Sequence, residues 1–177
     1  MPAPFSTSLP SSGPALVARE AMPRHWAGAG QEVDARAATL CIATPMELVE
    51  AERQGVQGLY LKDLSRRLAV PTSRLYAILG VPKATAEKKA TTGEAITGAP
   101  GHAAIGLTRL LGMAQAIVAE STAAEAEGFD TAHWLGQWIE RPQPALGGRR
   151  PADLIGTPTG VDIVARLLGG LHSDAYQ

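Results

Sequence analysis

Between Leu107 and Val118 the side chains Leu107, Leu110, Leu111, Ala114, Ile117 and Val118 recur at i, i+3, i+4, i+7, i+10 and i+11. That spacing lines one face of a long helix and neither face of a strand. A stripe of this length must be covered, so the other elements of the chain have to pack around it. Composition points the same way: aromatics make up only 5% of the 177 residues, and Ala and Leu are abundant, which favours helix over sheet. The expected fold class is all-α, with room for one or two small domains.

Local signals divide the rest into helices. Thr44-Pro45-Met46-Glu47 carries a capping hydroxyl, a proline at the first helical position and a glutamate three residues after the cap, which predicts a helix running to about Gln54 and stopping at Gly55. Leu61, Leu64 and Leu68 mark a second helix that Val70-Pro71 ends. Thr72 is expected to cap a third, with Leu75, Ile78 and Leu79 inward and Gly80 as its stop. Val81-Pro82 opens a fourth, carrying Lys83, Thr85, Lys88 and Lys89. Asp130 caps a helix from Thr131 to about Glu140, and Pro142 and Pro144 close it. Pro151 to Ile155 forms a short helix, and Thr157-Pro158 starts the last one, whose inward face is Val161, Val164, Leu167 and Leu168 and whose expected end is Gly169-Gly170. Residues 1–42 begin with a stretch dense in Pro, Ser, Gly and Ala and are expected to form a flexible extension.

Charge and composition exclude several functions. Sixteen Lys and Arg against seventeen Asp and Glu give a net charge near zero, which argues against a uniformly basic nucleic-acid binder. No apolar run reaches the length of a membrane span uninterrupted. Cys41 is a single cysteine, and His25, His102, His133 and His172 lack ligand spacing, so neither a metal nor a cofactor is expected. The N-terminus lacks a basic segment followed by an apolar one, so no signal peptide is expected and the cytoplasm is the expected compartment.

The averaged charge hides a local one. Residues 60–91 hold seven Lys or Arg against two acids, about +5, while the remainder of the chain is about −6. Thr72 to Thr91 has the layout of a helix-turn-helix, with a glycine at the turn. On that reading Thr72, Ser73 and Arg74 touch DNA backbone, while Lys83, Ala84, Thr85, Lys88 and Lys89 meet the groove side. A plain solvated basic face is the alternative. Tyr76 stands where close helix packing wants a small side chain, with the small Ala86 facing it, and Lys89 stands in a slot that is more often apolar.

No nucleophile, base and orienting group assemble from the motifs, so the chain is not expected to be an enzyme. Gly147-Gly148 lacks the strand and helix of a phosphate loop and reads as a turn. Asp153 lies in a first helical turn, where its charge offsets the helix dipole. Trp134 and Trp138, four apart, share a helix face and pack in a core or an interface.

The run Trp134-Leu135, then Pro142-Gln143-Pro144-Ala145-Leu146-Gly147-Gly148-Arg149-Arg150-Pro151-Ala152-Asp153-Leu154-Ile155, then Thr157, Gly160, Val164, Leu167-Leu168 and Tyr176 resembles the C-terminal toxin-binding domain of the Xre/MbcA/ParS antitoxins of bacterial type II toxin–antitoxin systems. Leu75, Leu79-Gly80-Val81 and Thr85 match, in order, an Xre-type helix-turn-helix. Together the two matches cover about residues 44–177. With the flexible extension at 1–42, the expected organisation is a helix-turn-helix module at 43–121 and a small helical toxin-binding domain at 122–177. The resemblance also implies a RES-domain toxin as partner, an enzyme that degrades NAD⁺ or transfers its ADP-ribose. A homodimer repressing its own promoter is a further implication. Trp134, Trp138, Gly147, Gly148, Arg149, Arg150 and Pro151 would then be docking residues. Leu171, His172, Ser173, Asp174, Ala175 and Tyr176 would be a plug over the NAD⁺ site. Charge gives the plug a reason: a pyrophosphate site is lined with cations, and Asp174 with the terminal carboxylate of Gln177 would meet them. A stand-alone transcriptional regulator with a C-terminal ligand- or protein-binding domain is the other reading.

Overall fold

The computed structural model describes residues 24–120 and 128–174, with side chains described over 28–120 and 128–170. Eight α-helices account for nearly all of this: α1 (Arg24–Cys41), α2 (Pro45–Gln54), α3 (Gly58–Arg67), α4 (Thr72–Leu79), α5 (Lys83–Thr92), α6 (Gly98–Glu120), α7 (Thr131–Trp138) and α8 (Pro158–Asp174). The all-α expectation holds, with one addition. Two-residue strands β1 (Val56–Gln57) and β2 (Ala95–Ile96) pair antiparallel, Val56 opposite Ile96 and Gln57 opposite Ala95, and tie the start of α3 to the end of α5.

The stripe on α6 is the centre of the molecule. Leu107, Leu110 and Leu111 are fully buried and Ala114 nearly so, and α1, α7 and α8 pack around this helix. By length and composition α6 reaches membrane-spanning size, which the interruptions in its sequence concealed; here its Leu and Ala face is core.

Several local signals act as their chemistry requires. The Thr44 hydroxyl accepts from the Glu47 amide, and the Glu47 carboxylate accepts from the Thr44 amide at 2.7 Å, a reciprocal cap on α2. That exchange holds the Glu47 carboxyl below its usual range. Gly80, at φ +68°, ends α4 in the left-handed region. Asp130 caps α7 by accepting from the His133 amide.

Four expectations are corrected. The flexible extension gives way, over its described part, to α1, whose Val33, Ala37 and Leu40 lie at i, i+4 and i+7 and are buried against the body; residues 1–23 lie outside the described residues. Thr72 does not cap α4: Pro71 holds the cap position, and the Thr72 hydroxyl pairs with Ser65 Oγ at 2.8 Å. Gly169-Gly170 does not end α8, which continues to Asp174. The short helix after Pro151 is one 3-10 turn, Pro151–Asp153.

One apolar core runs through the whole described structure. Leu75 of α4, Leu111 of α6, Leu135 and Ile139 of the α7 region, Ile155 in the turn before α8 and Val164 of α8 belong to the same buried cluster. The core is therefore continuous across residue 121, the expected boundary between modules.

Candidate functional site

Two surfaces carry the residues singled out by the sequence. The first is built on α7 and the turn after it. Trp134 and Trp138, one helical turn apart, stack with centroids 5.8 Å apart and planes at 20°. Phe129, just before the cap, leans on Trp134 at 6.3 Å. The row runs from inside to outside: Trp138 is buried, Trp134 half-buried and Phe129 43% exposed. Sequence reading missed Phe129 because it precedes the helix and belongs to no periodic pattern.

The turn that follows is held by its own backbone. Gln143 and Arg149 form an antiparallel bridge, the Gln143 amide donating to the Arg149 carbonyl and the Gly148 amide to the Gln143 carbonyl, each at 3.0 Å. Gly147 and Gly148 sit at φ +64° and +80°, a conformation that a side chain strains, which is why a glycine pair stands here. Gly147, Gly148 and Arg149 are exposed at the tip, and Pro151 is buried beneath it. Arg150 donates to Asp153 through Nε and Nη2, at 3.2 and 2.9 Å. Asp153 thus serves as an ion-pair partner, its carboxyl held below the usual range by Arg150, rather than as the dipole-offsetting charge of a regular helix. Leu171 to Asp174 lie in the last turn of α8, their side chains outside the described residues, and Ala175 and Tyr176 lie outside them altogether.

The second surface is α4, its glycine turn and α5. Ser73, Lys83, Ala84, Thr85 and Lys88 are exposed on it. Tyr76 is accommodated rather than excluded: its ring is buried, its hydroxyl donates to Glu87 at 3.2 Å, and Ala86 is fully buried in the same core. Burial, then the Glu87 charge, pushes the Tyr76 hydroxyl up to about 12. Glu87 also receives Lys62 at 2.6 Å, which holds the Glu87 carboxyl low.

Two of the expected backbone-contacting or groove-side cations are engaged within the chain. Lys89 donates to the Ala95 carbonyl on β2 and so points away from the exposed face of α5. Arg74 forms a two-pronged pair with Glu140 just past α7, Nε to Oε1 at 2.7 Å and Nη2 to Oε2 at 3.0 Å. The Glu140 hydrogen bond holds the Arg74 guanidinium above its ordinary value. Glu140 is further approached by Arg150 Nη1 at 3.5 Å, so one carboxylate joins the two surfaces. A second joint lies at the other end of α7, where Arg67 donates through Nε to both Asp34 oxygens at 3.0 Å and through Nη1 to Asp130 at 2.8 Å. Among the described residues no three His, Cys, Asp or Glu side chains gather as metal ligands.

Residues 126–173, which contain the aromatic row, the glycine turn and nearly all of α8, match the model of the antitoxin Xre/MbcA/ParS C-terminal toxin-binding domain. A protein of Sphingobium sp. (strain YBL2) described as "Prs ADP-ribosylating antitoxin" is 33% identical over 134 residues, which span 76% of this chain and 83% of that protein. That similarity extends beyond the C-terminal domain into the helices before it.

Proposed function

Because the chain belongs to the Xre/MbcA/ParS family of antitoxins, we propose that it neutralises a RES-domain, NAD⁺-consuming toxin by docking its C-terminal domain and covering the toxin's NAD⁺ site. The observation that carries the reading is the outward face of that domain. An exposed Phe129 backed by stacked tryptophans lies on the same domain as a rigid glycine turn bearing exposed Arg149, within the residues that match the toxin-binding model. A large aromatic on a rigid base anchors an interface at low entropic cost, and arginines beside it supply orientation.

Leu171 to Tyr176, which begin within the last turn of α8, form the plug in this reading. Asp174 meets the cations that a pyrophosphate site requires, and Tyr176 takes the space of a flat ring. The name of the Sphingobium relative, which joins ADP-ribosylation to an antitoxin, supports ADP-ribosyl transfer as the partner's chemistry. The antitoxin itself contributes binding and no catalysis. In the same reading α4 and α5 form a helix-turn-helix that represses the operon as a homodimer, with Ser73, Lys83, Thr85 and Lys88 exposed for DNA.

Co-expression with the protein encoded beside it, followed by an NAD⁺-consumption assay with and without this chain, tests the proposal. Co-purification and loss of NAD⁺ consumption are expected. A neighbour that neither binds nor consumes NAD⁺ would overturn toxin inhibition and leave a stand-alone regulator.

A further inference from the structure

Between residues 60 and 91 the chain carries seven cations, and five of them are already engaged. Lys62 is paired with Glu87, Arg66 with Asp63, Arg67 with Asp34 and Asp130, Arg74 with Glu140, and Lys89 is held by the Ala95 carbonyl. Most of these partners lie on the same face or pin the fold. Arg67 and Arg74 both reach the C-terminal domain, but of the cations expected to touch DNA only Arg74 does so, through Glu140 just past α7, 66 positions along the chain.

The geometry of that pair is that of a phosphate contact. A guanidinium takes a carboxylate and a phosphate with the same fork, two nearly parallel N–H donors on two oxygens. Nε and Nη2 of Arg74 are both spent on Glu140, at 2.7 and 3.0 Å. Neither side chain is sealed in, with 35% of Arg74 and 28% of Glu140 exposed, so an incoming phosphate reaches the fork without opening the core. Release does not orphan the carboxylate either, because Arg150 Nη1 stands 3.5 Å from it.

We infer that Glu140 is an internal phosphate mimic: it occupies Arg74 and so weakens DNA binding by the α4–α5 face, and Arg74 joins that face only when it leaves Glu140. The inference rests on the DNA-binding reading of α4 and α5, and it adds the residue that sets the affinity of that face from the toxin-binding domain.

The test compares the full chain with Glu140→Gln, Arg74→Ala and the double variant, binding a fluorescein-labelled duplex of the DNA upstream of its own gene across a salt series. Circular dichroism establishes that each variant is folded. Lys83→Ala and Lys88→Ala report on the face itself. Glu140→Gln is expected to bind about two- to fivefold more tightly, since a pair about one-third exposed is a modest competitor. Its log–log salt slope should steepen by about 0.9, one added phosphate contact. In the Arg74→Ala background the same change should bring little gain. Equal gains in both backgrounds would make the effect one of net charge and overturn the latch. If Lys83→Ala or Lys88→Ala weakens binding while Glu140→Gln neither tightens it nor steepens the slope, the latch falls and the DNA-binding reading stands. If no protein in the set binds the duplex, both fall.

Discussion

Gly136 of α7 lies so close to the carbonyl of Leu68, at the end of α3, that a Cβ on it would stand 2.0 Å from that oxygen. The contact seats the C-terminal domain on the body at backbone distance, so the obstacle is a peptide group and not a side chain that can turn aside. Gly136→Ala should therefore cost about 1–3 kcal/mol or more, the range for overpacking a tight site. A fall in the urea midpoint with unchanged slope would show it.

The opposite sign is expected at Gly169. A Cβ there meets nothing within 4 Å, and the residue lies inside α8 with no left-handed φ. Gly169→Ala should stabilise by about 0.5–1 kcal/mol, because the unfolded chain loses freedom and the helix gains a better former. A melting temperature at or below that of the wild type would contradict this.

These two glycines also mark what sequence could and could not convey. Signals that act within one turn were legible: the Thr44–Glu47 cap, the Gly80 stop and the α6 stripe all rest on residues a few positions apart. Gly169-Gly170 misled because a glycine costs a helix only about 1 kcal/mol, and the buried Val164 and Leu168 hold α8 together past it. The N-terminal helix hid because its stripe is sparse and partly Ala, legible only once α6 is there to receive it. At the candidate site, the exposed basic and glycine-turn residues were legible by type. Arg74 looked free because nothing local announces a partner 66 residues away, and Lys89 because its acceptor is a backbone carbonyl created by the β1–β2 pairing.

Tyr60 and Thr108 share a buried hydroxyl pair at 2.9 Å, under Arg36, which lies 4.9 Å over the tyrosine ring. Burial pushes the Tyr60 hydroxyl up to about 12 despite the Thr108 bond and the Arg36 charge. Below pH 10 both folded and unfolded tyrosine are protonated and the full contribution to stability is present. Between 10 and about 12 the unfolded chain releases a proton that the folded one keeps, so stability falls as pH rises, by up to about 1.4 kcal/mol per pH unit. Tyr60→Phe should shallow this alkaline limb, leaving a residue from Tyr76, while costing about 0.5–1.5 kcal/mol at neutral pH for the lost bond. Urea titrations from pH 8 to pH 11 (about three units spanning the ordinary tyrosine value) measure both; an unchanged limb would argue against a buried Tyr60 hydroxyl.

Phe129 separates docking from folding. It is 43% exposed and leans on Trp134, whereas Trp138 at the inner end of the row is 7% exposed. Phe129→Ala should leave the melting temperature within a few degrees of the wild type and weaken capture of the toxin by about tenfold or more, as loss of an aromatic anchor does. Trp138→Ala should instead cost about 3–5 kcal/mol of stability, the usual consequence of emptying a core aromatic site. Calorimetry on each variant, beside toxin titration, would distinguish them, and full toxin affinity in Phe129→Ala would move the anchor elsewhere.

The tail tests whether docking and inhibition are one act. α8 owes its packing to Val161, Val164 and Leu168, which are buried well before Gly170, so removing residues 171–177 should leave the helix seated and the glycine turn in place. If the tail is the plug, this truncated chain co-purifies with the toxin but no longer stops NAD⁺ consumption. A single Asp174→Asn change should then loosen inhibition without loosening the complex, since a charge meeting buried cations contributes more to occupying their site than to holding the wider interface. A truncated chain that binds and inhibits fully would locate inhibition at the docking face itself, where the mass of the bound domain would have to close the NAD⁺ site.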